Sequence, residues 1–325
     1  MTAATLDVLG VGNAIVDVLA EADDAFLAAE GIAKGGMTLI DTARATALYG
    51  RMNPGIEASG GSAANTMAGI ASLGGKCAYI GKVANDQLGE VFAHDIRAIG
   101  VGFDTAPLSG GEPTARCLVL ITPDAQRSMN TFLGASALLE SSDIDAKLIA
   151  SAKITYLEGY LFDRPEAKAA FFAAAKIAHD AGRKVALTLS DSFCVERHHA
   201  EFKKLLDHVD ILFANETEAE ALTGETGFDA AIAALAKHCA IVCVTHGAEG
   251  SVIVADGKTH KIPAAPIDRL VDTTGAGDLY AAGVLYGITA GLSIPEAGRI
   301  GSIAAAEAIS HIGPRPQRAL KELIG

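Results

Sequence analysis

The 325-residue chain carries 39 acidic and 26 basic side chains, which gives a formal net charge of −13. Binding to a phosphate backbone requires a positive field, so this charge argues against nucleic acid as a partner. Tryptophan is absent and aromatic residues make up only 5% of the chain, so no aromatic platform for single strands is expected either. Half of the residues are hydrophobic and 35 are glycine, which indicates a compact, turn-rich α/β protein and excludes intrinsic disorder.

The chain has five cysteines at scattered positions, and no two of them form a CxxC pair. We therefore expect buried, reduced thiols rather than disulfides or a zinc site. The sequence begins Met-Thr-Ala-Ala-Thr and passes directly into an apolar strand, without a basic segment followed by an apolar one. The longest weakly polar stretch, Leu279 to Leu292, is too short and too rich in glycine to span a bilayer. These features predict a cytoplasmic protein with no membrane partner.

The first predicted strand, Thr5 to Val11, ends in Gly10-Val11-Gly12-Asn13. This spacing is similar to a dinucleotide-binding loop, but Ile15 stands where the third glycine is required and the next residues look like a second strand. The dinucleotide interpretation is therefore excluded. Asn13 and Asp17 are polar residues in an otherwise apolar segment, where they serve either turn and edge chemistry or as hydrogen-bond partners for a polyol.

Helical and extended segments alternate irregularly up to about residue 134. The predicted elements are a helix at Asp23–Glu30, a strand at Met37–Asp41, a helix ending at Tyr49, a helix opening in Ser59–Asn65 and ending near Leu73, a strand at Lys76–Val83, a helix at Gln87–Ile99, an extended segment at Gly102–Ala106 and a hairpin of Pro113–Thr122 with Arg127–Leu133. The pair Gly60-Gly61 would let backbone approach a ligand, with Asn65 facing the same opening, although such a pair alone is more typical of a turn.

From residue 154 onwards strands and helices alternate regularly. Strands are predicted at Ile154–Glu158, Lys184–Ser190, Val209–Ala214 and Ala240–Thr245, and helices at Glu166–Ala181, around Glu201–Leu206 and at Glu216–Leu222. This repetition predicts a parallel sheet with helices on both faces.

Open α/β sheets bind ligands beyond the carboxyl ends of their strands, and polar residues follow two consecutive predicted strands there. Asn215 and Glu218, one helical turn apart, either stabilise the helix dipole or hold Mg²⁺ or its waters. The loop Thr245–Gly250 offers flexible backbone and a hydroxyl to a nucleotide phosphate. No GxxxxGK[ST] segment occurs, which excludes a P-loop kinase.

The stretch Val271 to Gly283 places two glycines and an alanine ahead of helix-compatible residues. Gly275 to Asp278 is therefore predicted to form the first turn of a helix, whose free N–H groups and dipole favour an anion. Asp278 beside such an anion either caps the helix or takes a proton from a hydroxyl that attacks a phosphoryl group.

Together these stretches resemble the PfkB (ribokinase-like) family of carbohydrate and nucleoside kinases. Ser59–Asn65 is similar to the family's first signature, and Asp272–Asp278 (D-T-T-G-A-G-D) is similar to its second. Asn215-x-x-Glu218 resembles its N-x-x-E element, and Thr245–Gly250 resembles its T-x-G-x-x-G loop. Four motifs in the same order over almost the whole chain make coincidence an inadequate explanation.

The resemblance implies an α/β fold, a ribokinase-like three-layer α/β/α sandwich with a mainly parallel central sheet and a smaller β-rich lid. We expect a large catalytic domain of residues 1–12, 51–112 and 135–325, and a lid of residues 13–50 and 113–134. The segment Glu21 to Tyr49 resembles the larger lid of adenosine kinases and their bacterial relatives. A flat apolar base would need aliphatic or aromatic pocket walls. Two interpretations are open for Ile15, Met37, Leu39, Leu133 and Phe162, namely such walls and, more typically, ordinary lid packing.

The resemblance also assigns roles to individual positions. Asp278 is implied to be the catalytic base, with the amides of Gly275, Ala276 and Gly277 forming an anion hole for the transferred phosphoryl group. The other implied roles are sugar binding by Asn13, Asp17, Gly60, Gly61 and Asn65, nucleotide binding by Asn215, Thr245, Gly247 and Gly250, magnesium binding through water by Glu218, and a monovalent-cation site for K⁺ at Asp272 and Thr274.

These roles predict an ATP- and Mg²⁺-dependent kinase that phosphorylates the 5′-hydroxyl of a ribonucleoside, with adenosine as the leading candidate. The resemblance allows a monomer or a homodimer. The alternatives are a sugar kinase acting on ribose or fructose, a kinase of another nucleoside and, less favoured, a non-catalytic nucleotide sensor.

Overall fold

The computed structural model describes residues 3–124 and 126–325. In these ranges the strands are β1 (Leu6–Val11), β2 (Ile15–Glu21), β3 (Met37–Leu39), β4 (Ile56–Gly60), β5 (Cys77–Ile80), β6 (Gly102–Phe103), β7 (Ala115–Ile121), β8 (Arg127–Phe132), β9 (Ala152–Glu158), β10 (Lys184–Thr188), β11 (Ile211–Asn215), β12 (Ile241–Thr245), β13 (Ser251–Ala255) and β14 (Lys258–Ile262). The α-helices are α1 (Asp24–Glu30), α2 (Thr42–Tyr49), α3 (Ser62–Ser72), α4 (Gln87–Ala98), α5 (Ala146–Ser151), α6 (Pro165–Asp180), α7 (Ser192–Arg197), α8 (His199–Leu206), α9 (Glu216–Thr223), α10 (Phe228–Leu235), α11 (Ala276–Thr289) and α12 (Ile294–Ile309).

Nine strands form the large sheet, in the order β14-β13-β12-β11-β10-β9-β1-β5-β6. Neighbouring strands pair in parallel along the part of the sheet that runs β12-β11-β10-β9-β1-β5-β6. Strands β13 and β14 are antiparallel additions at the β12 edge. Most residues of the central strands are buried, as expected for a sheet covered on both faces. The predicted mainly parallel sheet is confirmed.

Helices cover both faces of the large sheet. One apolar cluster joins the sheet to α5 through α10 and includes Phe171, Phe202 and Leu235. A second cluster on the opposite face contains Met67 of α3 and Phe92 of α4, together with residues of α11. The two clusters give the three-layer α/β/α arrangement that the resemblance implied.

Five strands form the smaller sheet, in the order β3-β8-β7-β2-β4. The predicted hairpin of β7 and β8 is antiparallel, with Ile121 opposite Arg127, and residue 125 of its turn lies outside the described residues. Strand β4 belongs to this sheet by pairing with β2, although residues 56–60 lie outside the range that the sequence assigned to the lid. The division into a catalytic domain and a lid stays a prediction.

The hairpin of β13 and β14 was not predicted from the sequence. Its turn residues Asp256 and Gly257 both have positive φ angles, of 49° and 69°. An Asp-Gly pair between two strands is a strong local signal for this kind of turn, so the hairpin was accessible to sequence reasoning.

Phe162 belongs to the core of the large domain, so neither the pocket-wall nor the lid-packing interpretation holds for it. Phe162 is fully buried, and its ring stacks on that of Phe202 with 4.2 Å between centroids, in the core between β9 and the helices of one face. It lies in the short 3₁₀ turn after β9, so its side chain turns into the large domain. Met37 and Leu39 of the small sheet are about half exposed, at 49% and 51%.

All five cysteines are free and buried, which confirms the expectation of reduced thiols. Burial raises the pKa of Cys117 and Cys239 to about 12, so both stay protonated at neutral pH. Among the described residues, the longest and most apolar helices still fall short of what crossing a bilayer requires.

Candidate active site

The start of α11 is held in place by the segment that follows α12. Gly275 is the residue before the helix and has a left-handed conformation with φ of 79°. A Cβ on Gly275 would lie 2.7 Å from the Cα of Pro314, so only glycine fits there. Further along, Gly283 of α11 lies against the backbone of Gly301 of α12, which lets the two helices pack closely. The predicted first turn at Gly275–Asp278 is confirmed.

The first-turn amides of α11 differ in whether they have a partner. The Ala276 N–H donates to the Thr273 carbonyl at 3.2 Å, which departs from the expected anion hole of three free amides. Within the described residues the amides of Gly275 and Gly277 have no acceptor. A Cβ on Gly277 would meet nothing within 4 Å, so the side-chain position of this residue borders open space. Two of the three implied amides are therefore available to an anion.

The carboxylate of Asp278 is held by the first turn of α3. The Ser62 hydroxyl donates to Oδ1 at 2.6 Å, and the Asn65 side-chain amide donates to Oδ2 at 3.1 Å. Burial raises the pKa of Asp278 to about 6, and the hydrogen bonds from Ser62 and Asn65 oppose the rise. At neutral pH the group is ionised and is a stronger base than an exposed aspartate, which suits proton abstraction from a hydroxyl.

The glycine pair brings the predicted sugar-binding residues against this helix start. A Cβ on Gly60 would lie 2.4 Å from Asp17 Oδ2, and one on Gly61 would lie 2.2 Å from the carbonyl of Asn13. Gly61 also has a positive φ of 98°, so the tight turn from β4 into α3 requires it. The structure thus places Asn13, Asp17 and the glycine pair together at one end of α3.

Glu158, at the carboxyl end of β9, was not singled out from the sequence. Its Oε1 accepts from the Asn13 side chain at 2.9 Å and the Asn13 backbone at 3.3 Å, while Oε2 accepts from the Ala63 amide at 2.8 Å. Glu158 is 1% exposed, and burial raises its pKa to about 7 against these hydrogen bonds. The sequence signal for Glu158 was a carboxylate at the end of an apolar strand, since ligands bind at the ends of such strands.

Two arginines reach the same region and were also missed. Arg315, beyond α12, donates from Nη1 to the Ser59 hydroxyl at 2.6 Å and from Nε to the side-chain carbonyl oxygen of Asn65 at 3.3 Å. Arg127 of β8 forms an ion pair with Asp272, at 3.1 Å between Nε and Oδ2. Burial raises the pKa of Asp17 to about 6, and the positive charges of both arginines oppose that rise.

The family model described as pfkB family carbohydrate kinase matches residues 47–319. The chain belongs to the pfkB family of carbohydrate kinases. It is therefore a phosphotransferase that acts on an alcohol group, and ATP is the co-substrate that this family implies, typically with Mg²⁺.

Solved structures and curated proteins related to this pfkB kinase differ in the substrate that their names state. The crystal structure of adenosine kinase from Sinorhizobium meliloti is 53% identical, with a TM-score of 0.91 and 98% of both chains covered. That of a probable sugar kinase protein from Rhizobium etli CFN 42 is 50% identical, with a TM-score of 0.91 and the same coverage. Probable fructokinase-6, chloroplastic, from Arabidopsis thaliana is 32% identical over 249 residues, which cover 73% of this chain and 64% of that protein. The chain thus spans less than two thirds of that fructokinase.

The predicted nucleotide side of the kinase lies at the ends of β11 and β12, where Asn215 and Thr245 are register partners. Asn215 and Glu218 form a reciprocal cap at the start of α9. Asn215 Oδ1 accepts from the Glu218 amide at 2.8 Å, and Glu218 accepts from the Asn215 backbone and side chain at 3.0 and 2.8 Å. Burial raises the pKa of Glu218 to about 7, and the charge of Asp278 adds to the rise. Helix capping is thus observed, while magnesium binding stays a prediction.

The glycines of the following loop have separate local roles. Gly247 has a positive φ of 53° and open space where a Cβ would be, as a ligand-facing backbone requires. Gly250 has a φ of 96°, and a Cβ there would lie 2.1 Å from the Ile262 carbonyl of β14. The geometry explains Gly250 by packing against the neighbouring strand, and its nucleotide contact stays a prediction.

Asp272 is an acceptor for several donors in the kinase. Its Oδ1 accepts from the Thr274 amide and hydroxyl at 3.0 and 2.7 Å, and its Oδ2 accepts from the Gly313 amide at 3.0 Å and forms the ion pair with Arg127. These contacts bind the loop before α11 to the small sheet and to the segment after α12. A monovalent-cation site at Asp272 and Thr274 stays a prediction.

Proposed function

We propose that this pfkB family kinase transfers the γ-phosphoryl group of ATP to the 5′-hydroxyl of a ribonucleoside, with adenosine as the first candidate. The observation that carries the proposal is the position of Asp278, whose carboxylate is held by two donors of α3 and which directly follows Gly277 in the first turn of α11. The 53% identity over nearly the whole chain to an adenosine kinase favours the nucleoside as acceptor.

In this mechanism the acceptor hydroxyl lies next to the Asp278 carboxylate. Asp278 takes the hydroxyl proton as the oxygen attacks the γ-phosphorus, the new P–O bond forms, and the bond to the β-phosphate oxygen breaks, releasing ADP. The amides of Gly275 and Gly277, with the dipole of α11, stabilise negative charge on the transferred group. A pKa of about 6 lets Asp278 be ionised before the reaction and accept a proton during it.

Water must be kept away from the γ-phosphate, because water competes with the acceptor. The small sheet supplies Arg127 to the catalytic loop and Asp17 to the acceptor side, so it is suited to act as the lid. On this proposal the lid comprises β2, β3, β4, β7 and β8 with the helices α1 and α2. Its closure over the substrates completes the site.

The residues present fit a magnesium ion that arrives with the nucleotide. Within the described residues no group of three His, Cys, Asp or Glu side chains is arranged to hold a metal alone. Glu218, which points its carboxylate into its own helix cap, would contact Mg²⁺ through water rather than directly. When bound, the ion supplies charge neutralisation to the phosphates.

A sugar kinase is the second candidate, and the specific observation that favours it is the 50% identity to the Rhizobium etli protein named as a probable sugar kinase. A panel of adenosine, inosine, ribose and fructose, assayed with ATP and Mg²⁺, separates the two. We expect adenosine to give by far the highest kcat/KM. A higher value for ribose or fructose would select the sugar kinase, and no phosphotransfer to any acceptor would select a nucleotide sensor. The same purified protein, run on a sizing column, decides between the monomer and the homodimer of the proposal, and fractionation of the source cells tests its cytoplasmic location.

A further inference from the structure

Arg315 lies in the segment Gly313–Pro316 that follows α12, and its guanidinium reaches three separate elements. Nη1 donates to the Ser59 hydroxyl of β4 at 2.6 Å and approaches the carboxylate of Asp95 of α4 at 3.4 Å. Nε donates to Oδ1, the side-chain carbonyl oxygen of Asn65 in α3, at 3.3 Å. Ser59 is itself bound to Asp95 by a short hydrogen bond, so the acceptors around Arg315 hold one another in place. The Arg315 side chain is only 18% exposed.

The Asn65 side chain lies between Arg315 and Asp278, which have opposite hydrogen-bonding capacities. A guanidinium only donates, and an ionised carboxylate only accepts. With its carbonyl oxygen toward Arg315 and its NH₂ group toward Asp278, the amide satisfies both neighbours. The flipped amide would place two donors face to face on one side and two acceptors face to face on the other. The neighbours of Asn65 therefore select one of its two orientations.

We propose that Arg315 is a positioning residue that fixes the Asn65 amide so that its N–H group, and never its carbonyl oxygen, faces the base Asp278. The consequence for catalysis rests on the proposed function, because it concerns Asp278 as the proton acceptor. Arg315 acts through Asn65 and does not itself touch the reacting atoms. The proposal assigns a role to a residue outside the glycine-rich signatures and to the segment after α12.

The N–H group of Asn65 stabilises the ionised form of Asp278, since a hydrogen bond to a carboxylate favours its charged state. Without Arg315 the amide is free to turn its oxygen toward the carboxylate, which disfavours ionisation. The groups that face Asp278 from the surrounding elements are Asp17 of β2, Tyr156 and Glu158 of β9, Tyr160 of the turn after β9 and Glu218 of α9. Arg315 also acts on Asp17 by its charge, so a test must separate this route from the route through Asn65.

The test is a ¹³C NMR titration of the ligand-free protein labelled at the aspartate carboxyl carbons, with the Asp278 resonance identified by its loss in Asp278→Asn. In Arg315→Met we expect the apparent pKa of Asp278 to rise by about one unit, the effect of losing one hydrogen bond to a charged group. Arg318→Met is the matched control, because Arg318 is an exposed arginine two positions beyond the segment Gly313–Pro316 and should leave the titration unchanged. In an Asn65→Ala background, Arg315→Met should add no further shift.

A wild-type titration in Arg315→Met would overturn the proposal, and so would a shift that persists in full in the Asn65→Ala background. If Arg315→Met does not fold, Arg315→Lys decides, since it keeps the charge but has one nitrogen where the guanidinium presents Nη1 to Ser59 and Nε to Asn65. An upward shift of the Asp278 pKa in Arg315→Lys supports the need for the planar guanidinium, and an unchanged pKa overturns the proposal. The titration uses no substrate, so its outcome is independent of the acceptor panel. In turnover assays with whichever acceptor is active, the acidic limb of the kcat profile should move up with the Asp278 pKa.

Discussion

Arg127 Nε lies 3.1 Å from Asp272 Oδ2, and the two side chains are only 8% and 9% exposed. The pair joins strand β8 of the small sheet to the loop that leads into α11. A charge pair so well shielded from solvent costs more to break than a surface pair, because removing one partner leaves the other charge buried and unpaired. The contact therefore couples the position of the small sheet to that of the first turn of α11.

Replacing Arg127 with Met should weaken this coupling. We expect kcat/KM for the acceptor to fall by roughly 10-fold or more, the cost of lost positioning, while the Kd for ATP changes little. Arg116→Met is a suitable control, because Arg116 belongs to the neighbouring strand β7 but contacts Thr46 of α2 instead. Steady-state kinetics and nucleotide titration check both variants, and equal losses in the two would argue against a specific role for Arg127.

Asp278→Asn tests the assignment of the base. Asparagine retains the size of the side chain but cannot take a proton, so turnover should fall by roughly 10²-fold or more with ATP binding largely intact. In the wild type, kcat should fall as pH drops below about 6, where the carboxylate becomes protonated. Turnover close to that of the wild type in the variant would exclude Asp278 as the base.

The same pair of proteins makes a prediction about stability. The pKa of Asp278 rises from 3.8 to about 6 on folding, so the folded state binds more protons than the unfolded state between these values. The free energy of unfolding of the wild type, relative to that of Asp278→Asn, should therefore decrease by at most about 3 kcal/mol as pH rises from 4 to 6. Above pH 6 the difference should stay level. Urea unfolding at several pH values measures this difference, and a flat difference would contradict the raised pKa.

Gly275 and Gly277 form a matched pair of positions for alanine. Gly275→Ala places a Cβ against Pro314 at a positive φ, so we expect a loss of stability of about 1–3 kcal/mol and a disordered helix start. Gly277→Ala adds a Cβ where nothing lies within 4 Å, so the fold and its thermal midpoint should be retained. If phosphate binds at this turn, the added methyl group must still weaken ATP turnover. A fully active Gly277→Ala would place the phosphate elsewhere.

Glu158→Gln tests the support beneath Asn13. A glutamine amide offers one acceptor oxygen where the carboxylate offers two, and its NH₂ group would face a donor from Asn13 or Ala63. We expect a loss of stability of about 1–3 kcal/mol and a higher KM for the acceptor, with the Kd for ATP less affected. An unchanged acceptor KM in a folded variant would show that Asn13 needs no such support.

Most parallel strands of the large sheet could be predicted from the sequence, because fully buried parallel strands appear as short apolar runs between helices. The turn at Gly275–Asp278 and the cap at Asn215–Glu218 were also readable, since backbone geometry at helix starts is determined by a few local residues. Glu158, Arg127 and Arg315 were not found, because each acts through partners more than 90 residues away and carries no local signature. Phe162 was also placed wrongly, because the local sequence of an aromatic residue after a strand fits a pocket wall and a core equally well.

The bond between Ser62 and Asp278 joins residues 216 positions apart, and that between Asn65 and Arg315 joins residues 250 apart. A chain growing on the ribosome can therefore complete β1 to β12 long before it possesses a catalytic centre. Loop closure over such distances is slow, and the segments that carry Asp278 and Arg315 emerge only after all of these strands. Enzymatic activity should thus appear only after Arg315 has emerged, and chains that end before α11 should be folded in part yet inactive.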